Sequence, residues 1–331
     1  MAALFDTSPP AFAGLGDASI VDLRKLRAED LEPILLEEVD VWRTQFDWDF
    51  KASADLVRRF VQMQALSGFA LVRQGRPIGY SYYVAEERKG LVGDLYVRQG
   101  ERSVEMENLL LGAVVNALLN LSFVKRVESQ LMMLQAPLTR ALPNKDLSQS
   151  HPRHFMEADL EAMANLQPRR GIASLVFEPW AERRQDSAAQ VIGAAYQGHV
   201  DSKINDQYRS ISGARRFLMN IVQYPGCGAF FQPGSFVALD PVTGRMAGLS
   251  LASLVSNDIG HITQICVAPE YKGKGLGYEL LRQSMEAMRV HGCRRVSLTV
   301  TAANEDAIRL YRRLGYSIRK VFAAYVWEPK A

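Results

Sequence analysis

The sequence predicts an α/β protein of mixed-sheet (α+β) type, made of two tandem copies of one unit, each a central mixed β-sheet flanked by helices. The first observation is self-similarity. Gly75-Arg76-Pro77-Ile78-Gly79 ahead of the apolar residues 80–84 resembles Gly244-Arg245-Met246-Ala247-Gly248 ahead of residues 249–254, at an offset of 169. Leu95-Tyr96-Val97 before a long helix matches Ile265-Cys266-Val267 before another at an offset of 170, and Arg126-Val127 matches Arg295-Val296 at 169. Three anchors at nearly constant separation mark a repeat, and an overlooked repeat misassigns a whole fold. The second observation is length: 331 residues exceed what one hydrophobic core usually serves, so two domains are expected. The third is the alternation of strand and helix periods, which implies a sheet with helices on it.

Taken in order, residues 1–17 are rich in Ala, Pro and Gly and read as a loose tail. Residues 18–168 form the first copy and residues 169–331 the second, joined near Gln167-Pro168-Arg169-Arg170-Gly171. In the first copy residues 75–79 read as a hairpin turn feeding a strand. Residues 109–124 read as a buried helix, because the uncharged stretch is shorter than a bilayer requires and carries Asn116, Asn120 and Ser122. In the second copy residues 174–177 are strand-like, and Ala214, Phe217, Leu218 and Ile221 recur at helical spacing. Residues 235–239 and 247–254 are strands about a turn at 240–244, and residues 262–267 are another. Leu280, Leu281, Ser284, Met285 and Met288 share a helix face. Val296, Leu298 and Val300 alternate with polar residues, and Ala307, Leu310, Tyr311 and Leu314 stripe a last helix.

Composition narrows the function. With 48% hydrophobic and 23% charged residues the chain supports sizeable cores and not wholesale disorder. A net charge of +3 without a Lys/Arg run argues against a dedicated nucleic-acid binder, so phosphate recognition is expected to be local. The N-terminus lacks the basic flank and apolar core of a secretory signal, and no membrane association is expected. Three cysteines, Cys227, Cys266 and Cys293, lack CxxC spacing and argue against a disulfide framework or a cysteine metal site. A reducing, cytoplasmic location fits.

The stretch from Val267 to Leu281 carries the chemistry. An apolar run is followed by Pro269, then Lys272-Gly273-Lys274-Gly275-Leu276-Gly277-Tyr278, then a helical pattern. Three glycines in five residues suggest that something approaches the backbone closely. A helix start leaves about four N–H groups without partners and a partial positive charge, which suits a diphosphate. A Walker loop is absent, and GxGxxG fails because Tyr278 and Leu280 stand where its last glycine belongs.

What remains, Lys272-x-x-Gly275-x-Gly277, resembles the Q/R-x-x-G-x-G/A loop of the GNAT superfamily of acyl-CoA-dependent N-acetyltransferases, with Lys where Gln or Arg is usual. Asn304-x-x-Ala307-x-x-x-Tyr311-x-x-x-Gly315-Tyr316 is similar to a later segment of that family. The resemblance covers residues 247–328 well and the first copy in outline, and it implies acetyl-CoA as cofactor. It implies that Ile265, Cys266 and Val267 offer free backbone groups to the pantetheine arm of the cofactor. The amides of Gly273, Lys274, Gly275, Leu276, Gly277 and Tyr278 would hold its diphosphate, with Lys272 and Lys274 adding charge. Asn304 would face the same arm, Val267 N–H would meet the oxyanion, and Tyr311 would protonate the departing thiolate. Tyr311 also lies on an apolar stripe and Asn304 stands as an N-cap before Glu305 and Asp306, so each has a structural role open beside the functional one. His261 falls where part of the family has a catalytic Glu and is a candidate base, with a water relay as the alternative.

The acceptor is expected to be an amine on a small molecule or peptide; the resemblance implies that residues 197–208, dense in hydrogen-bonding types, wall its pocket, with a solvated loop with caps as the alternative. In the first copy Arg102, Ser103, Glu105 and Glu107 stand in place of Lys272, Gly273, Gly275 and Gly277. Carboxylates there repel a diphosphate, so that copy is expected to be degenerate. Trp42, Phe46, Trp48 and Phe50 with Asp47 and Asp49 form an aromatic cluster suited to an interface, a pocket or a helix-end core. A non-catalytic acyl-CoA sensor, a nucleotide-dependent oxidoreductase and a homodimer remain open.

Overall fold

The structure, a computed structural model, describes residues 17–163, 166–169, 172, 174–224 and 226–329. The expected tail lies outside these residues apart from Asp17. In chain order the elements are β1 (Ala18–Asp22), α1 (Ala28–Phe46), α2 (Lys51–Gln62), β2 (Gly68–Arg73), β3 (Arg76–Glu86), β4 (Lys89–Val97), α3 (Val104–Leu119), β5 (Arg126–Gln130) and β6 (Ser148–Asp159). There follow β7 (Val176–Pro179), α4 (Gln185–Tyr196), α5 (Ile211–Gln223), β8 (Ala229–Phe230), β9 (Phe236–Leu239), β10 (Met246–Ser256) and β11 (Ile259–Val267). The last are α6 (Leu276–His291), β12 (Arg295–Thr301), α7 (Glu305–Arg313) and β13 (Ser317–Trp327).

The repeat predicts consecutive copies, but the compact units are interleaved in sequence. One comprises Met1–Val41, Ala54–Ser150 and Phe322–Ala331, and the other Trp42–Ser53 and His151–Val321. Side-chain packing gives the reason. The end of β13 pairs antiparallel with β5, Ala324↔Gln130 through Trp327↔Val127, and sends Tyr325 and Trp327 into the first unit's core. Both aromatics satisfy their polar tips there: Tyr325 donates to the Pro137 carbonyl at 2.7 Å and Trp327 to the Pro143 carbonyl at 2.8 Å. β6 likewise pairs with β12 and delivers Met156 and Ala158 to the second unit's core.

In the first unit the strands run β1-β2-β3-β4-β5, then the end of β13, with α3 packed on them. β4 and β5 pair in parallel only from Lys89↔Arg126 to Val92↔Ser129. α3 starts at Val104, earlier than residue 109, because Ser103 caps it by accepting from Met106 N–H at 3.2 Å. It also ends earlier than residue 124, at the C-cap Asn120. Glu105 is exposed, whereas Glu107 is buried. The Glu107 carboxylate accepts from Arg102 Nε at 2.6 Å, Arg140 Nη1 at 2.9 Å and Gln135 N–H at 3.0 Å. The position that corresponds to Gly277 is thus filled by an internal anion with its own cations.

In the second unit the order is β6-β12-β11-β10-β9-β7, with β8 on β10. α4 and α5 cover one face of the sheet and α6 and α7 the other, through separate apolar clusters. The aromatic cluster caps part of this unit: Trp42 stacks on Trp48 at 5.3 Å and on Phe50 at 5.0 Å. Asp47 accepts from Arg295 at 3.0 Å and from Arg319 at 2.6 Å. Burial acts to raise the Asp47 pKa, but these guanidiniums outweigh it and hold the carboxyl below its usual range.

Removing one member of a buried ion pair leaves the others uncompensated, at a cost of about 3 kcal/mol or more. Glu107→Ala is therefore expected to lower the chemical-denaturation midpoint of the first unit, while any thermal protection that CoA gives the second unit stays intact.

Candidate active site

β11 and β12 begin as parallel neighbours, Ile259↔Arg295 through Ile262↔Leu298, and then part. Each stays in the sheet on its other edge, β12 pairing with β6 as far as Thr301↔Arg153 and β11 with β10 as far as Val267↔Gly248. At the parting β11 carries one residue more than β10: Leu251 faces Gln264 and Ala252 faces Ile262, which leaves Thr263 as a bulge. Thr263 Oγ1 donates to the Leu251 carbonyl at 3.0 Å and anchors it.

Backbone direction along the opened edge follows from alternation. Ala268 N–H donates to Ala247 across β10 at 2.8 Å, so the amides of Ile265 and Val267 point the other way, into the gap that β12 has left. Cys266 departs from the expectation of free backbone groups at all three residues, since by the same alternation its amide faces β10. Its thiol is buried, and burial pushes its pKa up to about 12.

The chain leaves β11 through Ala268 and reaches α6 by the glycine loop. Gly273 and Gly275 take φ of +76° and +90°, where a side chain is strained. Gly277 lies in the first turn, and a Cβ there would stand 3.4 Å from Leu310 Cδ2 and 3.7 Å from Val267 Cγ2. α6 starts with Gly275 as an N-cap that has no side-chain acceptor. Among the described residues the amides of Gly273, Lys274, Gly275, Leu276, Gly277 and Tyr278 make no hydrogen bond within the chain. Lys272 Nζ donates to the last-turn carbonyl of Ala195 at 3.3 Å, and Lys274 lies over the Tyr271 ring at 5.4 Å. Arg169, whose place here the sequence does not reveal, stacks on Tyr278 at 4.8 Å. Six free N–H groups at and just before a helix start, beside two lysines, suit a diphosphate.

Tyr311 projects from α7 with 7% exposure, and among the described residues its hydroxyl has no hydrogen-bond partner. Burial and the Asp201 carboxylate raise its pKa, and Arg153 opposes them. Asn304 is the N-cap of α7, accepting from Ala307 N–H at 3.3 Å while its amide nitrogen lies 3.3 Å from His199 Nε2. Residues from the 197–208 segment meet side chains of β11 and β12. His199 Nδ1 lies 3.5 Å from Asp201 Oδ2, and the Thr301 hydroxyl donates to Asp201 Oδ1. Tyr208 donates to Gln264 Oε1 at 3.2 Å, and Gln264 donates to the Tyr196 hydroxyl at 2.9 Å.

Sequence reasoning missed Arg153, Thr299, Thr301 and Gln264. Gln264 carries a legible signal, as a polar residue within an apolar strand. Arg153 carries none, because its strand reads Ser-Gln-Ser-His-Pro-Arg-His and lacks alternating apolar residues.

His261 sits apart from this group. It is 3% exposed, its Nδ1 lies 2.9 Å from Ser297 Oγ, and Trp48 packs edge-on against it at 5.1 Å. Burial lowers its pKa to about 3. An imidazole this weak is a poor match for proton abstraction near neutrality, so the geometry does not favour the expected base role.

Residues 206–316 match the model of the acetyltransferase (GNAT) family. Mycothiol acetyltransferase of Mycobacterium sp. (strain JLS) is 34% identical over 102 residues, 29% of this chain and 34% of that protein. Two solved structures share the fold over almost the whole chain. A GCN5-related N-acetyltransferase from Sphaerobacter thermophilus has a TM-score of 0.65 at 15% identity, covering 96% of this chain and 97% of that one. A tandem GNAT protein from the clavulanic acid biosynthesis pathway has a TM-score of 0.59 at 16% identity, covering 95% and 99%. Residues of the second unit thus match the GNAT family, and the chain shares the fold of a tandem GNAT protein. It spans only 34% of the length of the mycothiol acetyltransferase it matches.

The buried His261 gives a pH test. The unfolded chain takes up its proton near pH 6.5 and the folded one only near pH 3, so between those values the unfolded state binds more protons and stability falls as pH falls. The slope from this residue is at most about 1.4 kcal/mol per pH unit. His261→Gln is expected to flatten the stability profile in that window, measured by urea unfolding at stepped pH. An unchanged profile contradicts the burial argument.

Proposed function

We propose that the protein is an acetyl-CoA-dependent N-acetyltransferase whose working site lies in the second unit and acetylates a primary amine by direct attack. The observation that carries this reading is the set of six uncommitted amides at residues 273–278, next to a strand edge left open beyond Ile262. Acetyl-CoA supplies an acetyl group activated as a thioester. The amides of Gly273 to Tyr278, with Lys272 and Lys274, would hold its diphosphate. Ile265 and Val267 would bind the pantetheine arm as a neighbouring strand does, and Asn304 would face the same arm.

The opened edge also gives the reaction its polar contacts. Val267 N–H points into the gap and would donate to the oxygen that gains negative charge. Tyr311, held protonated by its surroundings, would give its proton to the thiolate as it leaves. The amine loses its proton by a relay to solvent along Asp201, His199 and Thr301, in place of His261. The first unit would bind no cofactor in this manner, because Ser103 and Glu107 occupy the start of α3.

Two variants separate binding from chemistry. Gly277→Glu, which copies the first unit, is expected to abolish the rise in melting temperature given by CoA. Tyr311→Phe is expected to keep that rise and lose about 100-fold or more in thiol release with an accepted amine. Full CoA protection without thiol release from the unaltered protein, across a broad amine panel, would leave a sensor in place of an enzyme.

A further inference from the structure

The pairing of β6 with β12 continues past the point where β11 leaves, and this places Arg153 opposite Thr301. Arg153 Nη2 donates to Thr299 Oγ1 at 3.1 Å, its Nε is buried without a partner, and among the described residues it makes no ion pair. Other arginines of this unit are differently placed: Arg295 and Arg319 both share Asp47 and Glu157. The charge of Arg153 acts on both Tyr208 and Tyr311, lowering the pKa of each against burial. The guanidinium, held on Thr299, therefore lies near the tyrosines of the polar wall where the amine would sit.

Asp201 accepts from the hydroxyl of Thr301, the residue opposite Arg153 in the register. Its charge acts on the same two tyrosines with the opposite sign. A guanidinium held by Thr299 and a carboxylate held by Thr301 thus stand two residues apart along β12 without pairing with each other. Leaving a half-buried guanidinium without an anion is unfavourable, and its planar fork matches a carboxylate with two parallel hydrogen bonds. One positive and one negative group, held apart, complement a ligand that carries one of each.

We propose that the acceptor is an amine that bears a carboxylate, with Arg153 binding the carboxylate and Asp201 facing the ammonium end. This rests on the N-acetyltransferase reading. Arg153 then sets specificity, and the acceptor enters as a zwitterion of amino-acid type. Lysine in its place keeps the charge and loses the fork.

The test uses the full chain with saturating CoA and a matched panel: L-amino acids, their carboxamides, the decarboxylated amines, and amines bearing phosphate. Binding is read by saturation-transfer NMR and turnover by thiol release with acetyl-CoA. The inference expects carboxylated members to bind and to be used about 10- to 100-fold better than their carboxamides. Arg153→Met should erase that preference while the CoA-dependent rise in melting temperature persists, and Arg153→Lys should restore part of it. Equal binding of acids and amides, preference for phosphate-bearing amines, or an equal loss for all acceptors in Arg153→Met overturns the carboxylate assignment. Carboxylate-selective binding that depends on Arg153 without any thiol release upholds this inference and removes the acetyltransferase reading instead.

Discussion

The second unit depends on a row of backbone N–H groups left without acceptors where β11 passes into α6. Buried or half-buried amides are nearly always paired, and a helix start normally finds a cap. Here the cap position is Gly275 at positive φ, which offers no side-chain oxygen, and Gly273 ahead of it keeps the chain in a turn. The first unit shows the alternative. Ser103 caps α3 at once, Glu107 brings its own carboxylate to the helix start, and Arg102 and Arg140 neutralise it. The two helix starts differ in that one has a built-in anion and the other has free N–H groups.

The same comparison explains why both units keep the parted strands. In the first unit β4 leaves β5 after Val92 as β11 leaves β12 after Ile262, and Gly93 supplies the bulge that Thr263 supplies in the second. The parting belongs to the fold, while the free amides belong to one loop sequence. Under the proposed function a ligand arm laid along the opened edge would gain strand-like hydrogen bonds in either unit, but a diphosphate would find free donors only in the second.

Much of this was legible in the chain. The glycine–lysine loop, the helix of Leu280 to Met288 and the strand through Val296, Leu298 and Val300 follow from spacing and periodicity, and the structure holds them as read. The role of Asn304 as an N-cap was equally plain. The interleaving of the units was not, because Tyr325 and Trp327 look like ordinary core residues of the copy that contains them, and only packing shows which core they enter. The surroundings of His261 were hidden for a similar reason: Trp48 is distant in sequence and edge-on in space. Arg153 stayed invisible because its polar strand has no apolar rhythm, yet pairing with β12 sets it opposite Thr301 and within reach of Thr299.

The central claim concerns particular amides, so amide hydrogen exchange resolved near single residues tests it most directly. With CoA added, exchange at residues 273–278 should slow strongly, and exchange at residues 103–107 should not change. Unaltered exchange at 273–278 under saturating CoA, or protection confined to the start of α3, contradicts the account.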